Sequence, residues 1–184
     1  MIQDPNIHYL DNAATTMVAP EVADVIDKAM REHWANPSSL YAPGARSEEA
    51  LNAARAAVAR TFGCKPKELY FTSCGTEADN WALRGVAELR QKKGRHIITS
   101  AIEHHAILHT AQYLEKQGYE VTYLPVDAQG RVDPAAVQAA LRPDTILISV
   151  MAANNEIGTI EPVAEIGAIA RAAGVLFHVD AVQA

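Results

Sequence analysis

The stretch Thr145–Asp180, TILISVMAANNEIGTIEPVAEIGAIARAAGVLFHVD, decides the fold. It begins with an apolar run, TILISV, and ends with another, VLFHVD. Neither alternates polar with apolar residues, which suits strands covered on both faces. Between them Pro162 opens a helix and Gly174 closes it. A strand, a helix and a second strand in that order make a βαβ unit, whose strands run parallel.

The same alternation extends toward the N-terminus. Strands are predicted at Glu120–Leu124, His96–Ser100, Glu68–Thr72 and Ile7–Leu10. Asp133 caps a short helix that begins at Pro134 and runs to Leu141. Helices are also expected over His105–Gln117, from Gly75 to about Leu89, and over Ala45–Phe62, the last with Leu51, Ala54, Val58 and Phe62 on one face and Gly63 as its stop. Pro20 opens another, with Val22, Val25, Ile26, Ala29 and Met30 at helical spacing, and Asn36-Pro37-Ser38-Ser39 breaks it. The fold class is α/β: a three-layer, mostly parallel sheet covered by helices.

Composition narrows the function. Of 184 residues, 49% are apolar, as in ordinary globular proteins, and the net charge of -6 argues against a nucleic-acid surface. Two cysteines, Cys64 and Cys74, are too few for a disulfide framework, so a reducing compartment is expected. The N-terminus lacks a basic, then apolar, signal pattern, and no run approaches the ~18 apolar residues of a membrane span. A cytoplasmic location with no membrane contact is the expectation.

In parallel sheets ligands gather beyond the carboxyl ends of the strands. Three segments put polar residues there: Gly75-Thr76-Glu77, Asn154-Asn155-Glu156 and Asp180–Gln183. Gly75-Thr76 opens a helix whose first amides lack internal partners, so it reads either as a phosphate seat or as an N-capping threonine followed by a first-turn glutamate. Asp180 ends an apolar strand and either caps the next turn or faces a cationic ligand atom. The Asn154-Asn155 amides either bind a polar group or close an Asx turn. His104, His105 and His109 follow Glu103 in the order E-H-H-x-x-x-H, which does not match the zinc-protease spacing and favours a stacking or proton-handling histidine or a plain helix start over a metal site. Cys74 reads as a small packed residue rather than a nucleophile.

In order, YLDNAATT (Tyr9–Thr16), NPSS (Asn36–Ser39), FTSCGTEADN (Phe71–Asn80), EHHAIL (Glu103–Leu108), NNEIGT (Asn154–Thr159) and HVDAVQ (His178–Gln183) resemble the cysteine desulfurases. These are class V, fold-type I enzymes of pyridoxal 5'-phosphate (PLP), here closest to the nitrogen-fixation and iron–sulfur-cluster group. The resemblance implies that Gly75 and Thr76 cradle the PLP phosphate, and that His104 stacks on the ring and handles protons. It implies that Asp180 partners the pyridinium, that Gln183 and Asn155 flank the phenolic oxygen, and that Asn36 and Asn155 border the substrate. It also implies L-cysteine as substrate, an iron–sulfur scaffold or other sulfur acceptor as partner, and a homodimer. The family's Schiff-base lysine and persulfide cysteine lie past the residues that match HVDAVQ. The expectation is therefore that residues 1–184 are the N-terminal part of a PLP-binding large domain, with residues 1–20 as an arm, and that they are inactive alone. Another class V enzyme, an aminotransferase or a selenocysteine lyase, and a non-catalytic binding fragment are the alternatives.

Overall fold

Strands form where β-branched and apolar side chains are densest. In the computed structural model, which describes residues 8–184, these are β1 (His96–Ser100), β2 (Glu120–Leu124), β3 (Thr145–Ser149) and β4 (Leu176–His178). They build one parallel sheet in the order β2-β1-β3-β4. Every residue of β1 and β3 is buried, as expected of central strands covered on both faces. The edge strands β2 and β4 are partly exposed.

Helices α3 (Gly75–Arg90) and α4 (His105–Lys116) cover one face, and α5 (Pro134–Ala140) and α6 (Val163–Ala173) the other. Each face has its own core. Leu83, Ile97, Ile107 and Leu147 pack on the first, and Ile98, Val137, Ile148 and Ile166 on the second. Adjacent residues of a strand, such as Ile97 and Ile98, thus serve opposite layers. Each fully buried Leu or Ile stabilises the fold by about 1.5–3 kcal/mol. A register shift after His96, which pairs with Thr145 while Ile97 pairs with Leu147, lets Ile146 join Leu147 in the first core. His96 is buried at the amino end of the sheet, its two ring nitrogens 2.7 Å from Thr145 Oγ1 and 2.8 Å from Thr122 Oγ1. Burial, aided by Arg142, lowers its pKa and keeps the ring neutral. Asp133 caps α5 through the Ala135 amide, and Gly174, with φ of 65°, ends α6 in the left-handed conformation that favours glycine.

The chain divides after Phe71 into two compact units, and the sheet belongs to the second. The first contains α1 (Pro20–Glu32), α2 (Ala42–Thr61) and a short 3-10 turn at Pro66–Glu68. The apolar stripe of α1 is present as predicted, but none of its residues is buried. On α2 the buried residues are Gly44, Ser47 and Ala59 rather than the predicted stripe.

Three predicted strands need correction. In the predicted strand Glu68–Thr72, Glu68 ends the 3-10 turn and the following four residues lie outside the sheet, with Tyr70 and Phe71 66% and 51% exposed. Its β-rich composition is not enough without a neighbouring ladder. Ile7 lies outside the described residues, and residues 8–10 are irregular. β4 is shorter than Val175–Asp180, although the Val150 and Ala152 amides donate to the carbonyls of His178 and Asp180 and carry the pairing past its end.

Candidate active site

From β1 the chain crosses to β2 on one side, and from β3 to β4 on the other. The reversal puts a topological switch point between the carboxyl ends of β1 and β3. Glu103 and Asn154 stitch this gap. Glu103 Oε1 accepts from Ser100 Oγ at 2.6 Å and from the Met151 amide at 3.1 Å. Asn154 donates through Nδ2 to the Ile102 carbonyl at 2.9 Å, while its Oδ1 accepts from the Glu156 and Ile157 amides.

Helix α3 begins at Gly75, with Cys74 in extended backbone at its N-cap position and no cap hydrogen bond from a side chain. Thr76 is therefore inside the first turn and is not the N-cap. Glu77 turns back to accept from the Ser73 amide and hydroxyl, which lowers its pKa. The turn after β4 passes close by: a Cβ on Gly75 would stand 2.6 Å from Val182 Cγ2. A side chain at this position would force Val182 to shift. Asp180, in the same turn, is buried, and its Oδ1 accepts from the Val182 amide at 3.1 Å.

His104 caps α4, its Nδ1 accepting from the Ala106 amide at 3.1 Å. With Thr76, Asn80, His105 and His109 it lines a shallow cleft of about 260 Å³ between α3 and α4.

Beneath these groups is a buried acidic cluster. Asp79, one turn into α3, and Glu103 are each 4% exposed, and Asp180 is 7% exposed. Burial, then the Asp180 charge, pushes Asp79 up to about 6. Burial is also the main cause that pushes Glu103 up to about 7, against the Ser100 and Met151 bonds that lower it. Glu103 Oε2 is buried without a hydrogen-bond partner. His178 Nε2 is 3.5 Å from Asp79 Oδ1, and its Nδ1 is 2.9 Å from Ser149 Oγ. Burial lowers the His178 pKa, opposed by the Asp180 charge, so the ring is a poor counter-charge. Among the described residues no lysine or arginine forms an ion pair with the three carboxyls.

The structure thus brings Gly75 close to the Asp180 turn, and Thr76 to His104. Asn155 follows β3, half-buried, with its Nδ2 donating to Glu156 Oε1. Gln183 is half-buried in the turn after Asp180. Asn36 is in the first unit, in an Asx turn whose Oδ1 accepts from the Ser38 amide. Cys74 is exposed rather than packed, a correction, and the Glu77 amide is the chief cause that lowers its thiol pKa.

Three contributors escaped the sequence reading, Asp79, Glu103 and His178, while Asn154 closes the Asx turn that was one of its two readings. For Asp79 the signal was there. It shares the buried stripe of α3 with Leu83 and Ala87, where a carboxylate is costly unless used.

The site thus offers a helix start opened by a glycine for an anion, and, among the described residues, a buried carboxylate without a lysine or arginine ion pair for a cation. The class-V aminotransferase family model matches residues 8–184. The chain is 56% identical over 176 residues to a cysteine desulfurase IscS of Methanosarcina thermophila, and 52% to one of Clostridium botulinum. In each case the match covers 96% of this chain and 44% of the relative. Among solved structures, a NifS-like protein superposes with a TM-score of 0.92 at 43% identity, over 95% of this chain and 48% of that one. DndA from Streptomyces lividans superposes with a TM-score of 0.84 at 44% identity, over 96% and 49%. The chain therefore spans about half the length of these relatives, and it belongs to the class-V aminotransferase family.

Proposed function

We propose that the protein carrying this chain is a PLP-dependent cysteine desulfurase. It would convert L-cysteine and an enzyme thiol into L-alanine and an enzyme persulfide, whose outer sulfur goes to an iron–sulfur scaffold or other acceptor. The observation that carries the reading is Asp180, buried in an acidic cluster with no lysine or arginine ion pair among the described residues, beside a helix start opened by Gly75. PLP has the matching pattern, an anionic phosphate and a protonatable ring nitrogen at separate places on one ring. The likeness to proteins named cysteine desulfurase supports the choice of substrate.

In this reading the first amides of α3 and the Thr76 hydroxyl hold the phosphate. Asp180 faces the ring nitrogen and keeps it protonated, while Gln183 and Asn155 border the phenolic oxygen. When bound, PLP supplies the electron sink that weakens bonds of the substrate amino acid. His104 would stack on the ring and carry a proton to or from the substrate. Its Nδ1 is occupied by the Ala106 amide, so a neutral ring carries its proton on Nε2, and that is the nitrogen free to exchange it. Asn155 would also border the substrate.

The whole protein is read as a cytoplasmic homodimer. The described chain is read as part of its PLP-binding domain, inactive until residues outside it add the Schiff-base lysine and the persulfide cysteine. L-cysteine given to the complete, PLP-loaded protein with a thiol reductant should yield alanine and sulfide in equal amounts. Formation of a keto acid with conversion of PLP to its amine form would point to transamination and end the proposal.

A further inference from the structure

The Asp79–His178 contact joins the two ends of the candidate site. Asp79 lies one turn into α3, the helix whose first amides face the anion seat. His178 ends β4, two residues before Asp180 on the same side of the strand. The Ser149 hydroxyl on β3 fixes the other nitrogen of His178 at 2.9 Å. The Val150 and Ala152 amides hold the backbone of His178 and Asp180 against the β3 side. Three elements therefore converge on one buried carboxyl that binds nothing else described.

We infer that Asp79 is a positioning residue. Clasped to His178, it locks the start of α3 to β4, so that the anion-binding amides and Asp180 meet one ligand in a fixed register, and its charge reinforces Asp180 toward the cationic end of that ligand. The inference rests on the PLP reading.

The groups facing Asp79 support this role. His178 is the titratable group presented by β4, and Asp180 follows it; β3 adds only the Ser149 hydroxyl. Helix α4 meets the neighbouring Asn80 through Thr110 Oγ1, at 2.7 Å, and brings no charge to the contact. Glu103, after β1, acts on the same cluster through Asp180. A carboxyl that burial and Asp180 push up to about 6 is unstable as a bare anion, and a cationic ligand atom would relieve it.

The test uses the complete protein stripped of PLP, with dissociation constants for PLP and for pyridoxal, which lacks the phosphate, measured by equilibrium dialysis across pH. Asp79→Asn keeps the size and the His178 contact but removes the charge. The ratio of wild-type to Asp79→Asn affinity should grow about tenfold as pH rises through the Asp79 titration, one pKa unit being a factor of ten. Ionisation of the PLP phosphate and of Glu103 is common to both proteins and cancels in that ratio. Asp79→Leu removes the contact too, and should also cut the preference for PLP over pyridoxal by about tenfold, a loss of roughly 1.4 kcal/mol. A ratio constant across pH overturns the inference even if the leucine variant does not fold. An undiminished phosphate preference in a folded Asp79→Leu protein overturns it as well. Wild-type protein that binds no PLP would instead end the functional reading itself.

Discussion

Glu103→Gln tests whether the switch point is held by a buried, protonated acid. Burial carries this carboxyl from 4.5 up to about 7, which amounts to about 3 kcal/mol. At low pH the acid is protonated in the folded and unfolded chain alike. As pH rises above about 4.5 the unfolded chain ionises first while the folded one keeps its proton, so the contribution of Glu103 to stability falls as pH rises through about 7. Glutamine does not titrate. Its oxygen can still accept from Ser100 Oγ and the Met151 amide, but its NH2 takes the place of an oxygen that has no partner, at a cost of about 1–3 kcal/mol. The variant should thus be the less stable protein at acid pH and close the gap, or pass the wild type, above pH about 7. Urea unfolding of both PLP-free proteins over this pH range measures the difference directly, because other titrations cancel. A gap that stays constant with pH would show that Glu103 is not a buried acid with a raised pKa.

Asn154→Ala removes three hydrogen bonds to the backbone and a weaker one to the Met151 sulfur, and should cost about 2–4 kcal/mol, whereas Asn155→Ala should leave thermal stability nearly unchanged and raise the KM for cysteine. Gly75→Ala drives a methyl against Val182; it should weaken PLP binding by about tenfold, and Val182→Ala in the same protein should restore most of the loss, as dialysis can show. Tyr119→Phe breaks the bond from its hydroxyl to the Ala87 carbonyl, and should lower unfolding free energy by about 1 kcal/mol without changing PLP affinity.

The sheet was legible because its central strands are continuous apolar runs and its helices carry their own punctuation. Asp133-Pro134 and Gly174 mark helix ends that the structure reproduces. Glu68–Thr72 misled because β-propensity reflects fit to a ladder, which the local sequence does not encode. At the site, the position of His104 and Asp180 beyond strand ends followed from the βαβ pattern, whereas Gly75 and Thr76 follow no strand and were legible only as a helix start. The clasp between Asp79 and His178 was not legible, since it joins residues 99 positions apart across α3 and β4. The division of labour between Asn154 and Asn155 was equally hidden. The two amides are chemically identical, and only the path of the loop turns one inward to Ile102 and leaves the other half-buried beside Glu156.

Asp180 is read as the seat for a cationic ring nitrogen. PLP labelled with 15N at that nitrogen, bound to the complete protein, reports its protonation directly by NMR at alkaline pH. The nitrogen should be protonated in the wild type and unprotonated in Asp180→Asn. An unprotonated nitrogen in the wild type, or a protonated one that survives Asp180→Asn, would contradict it.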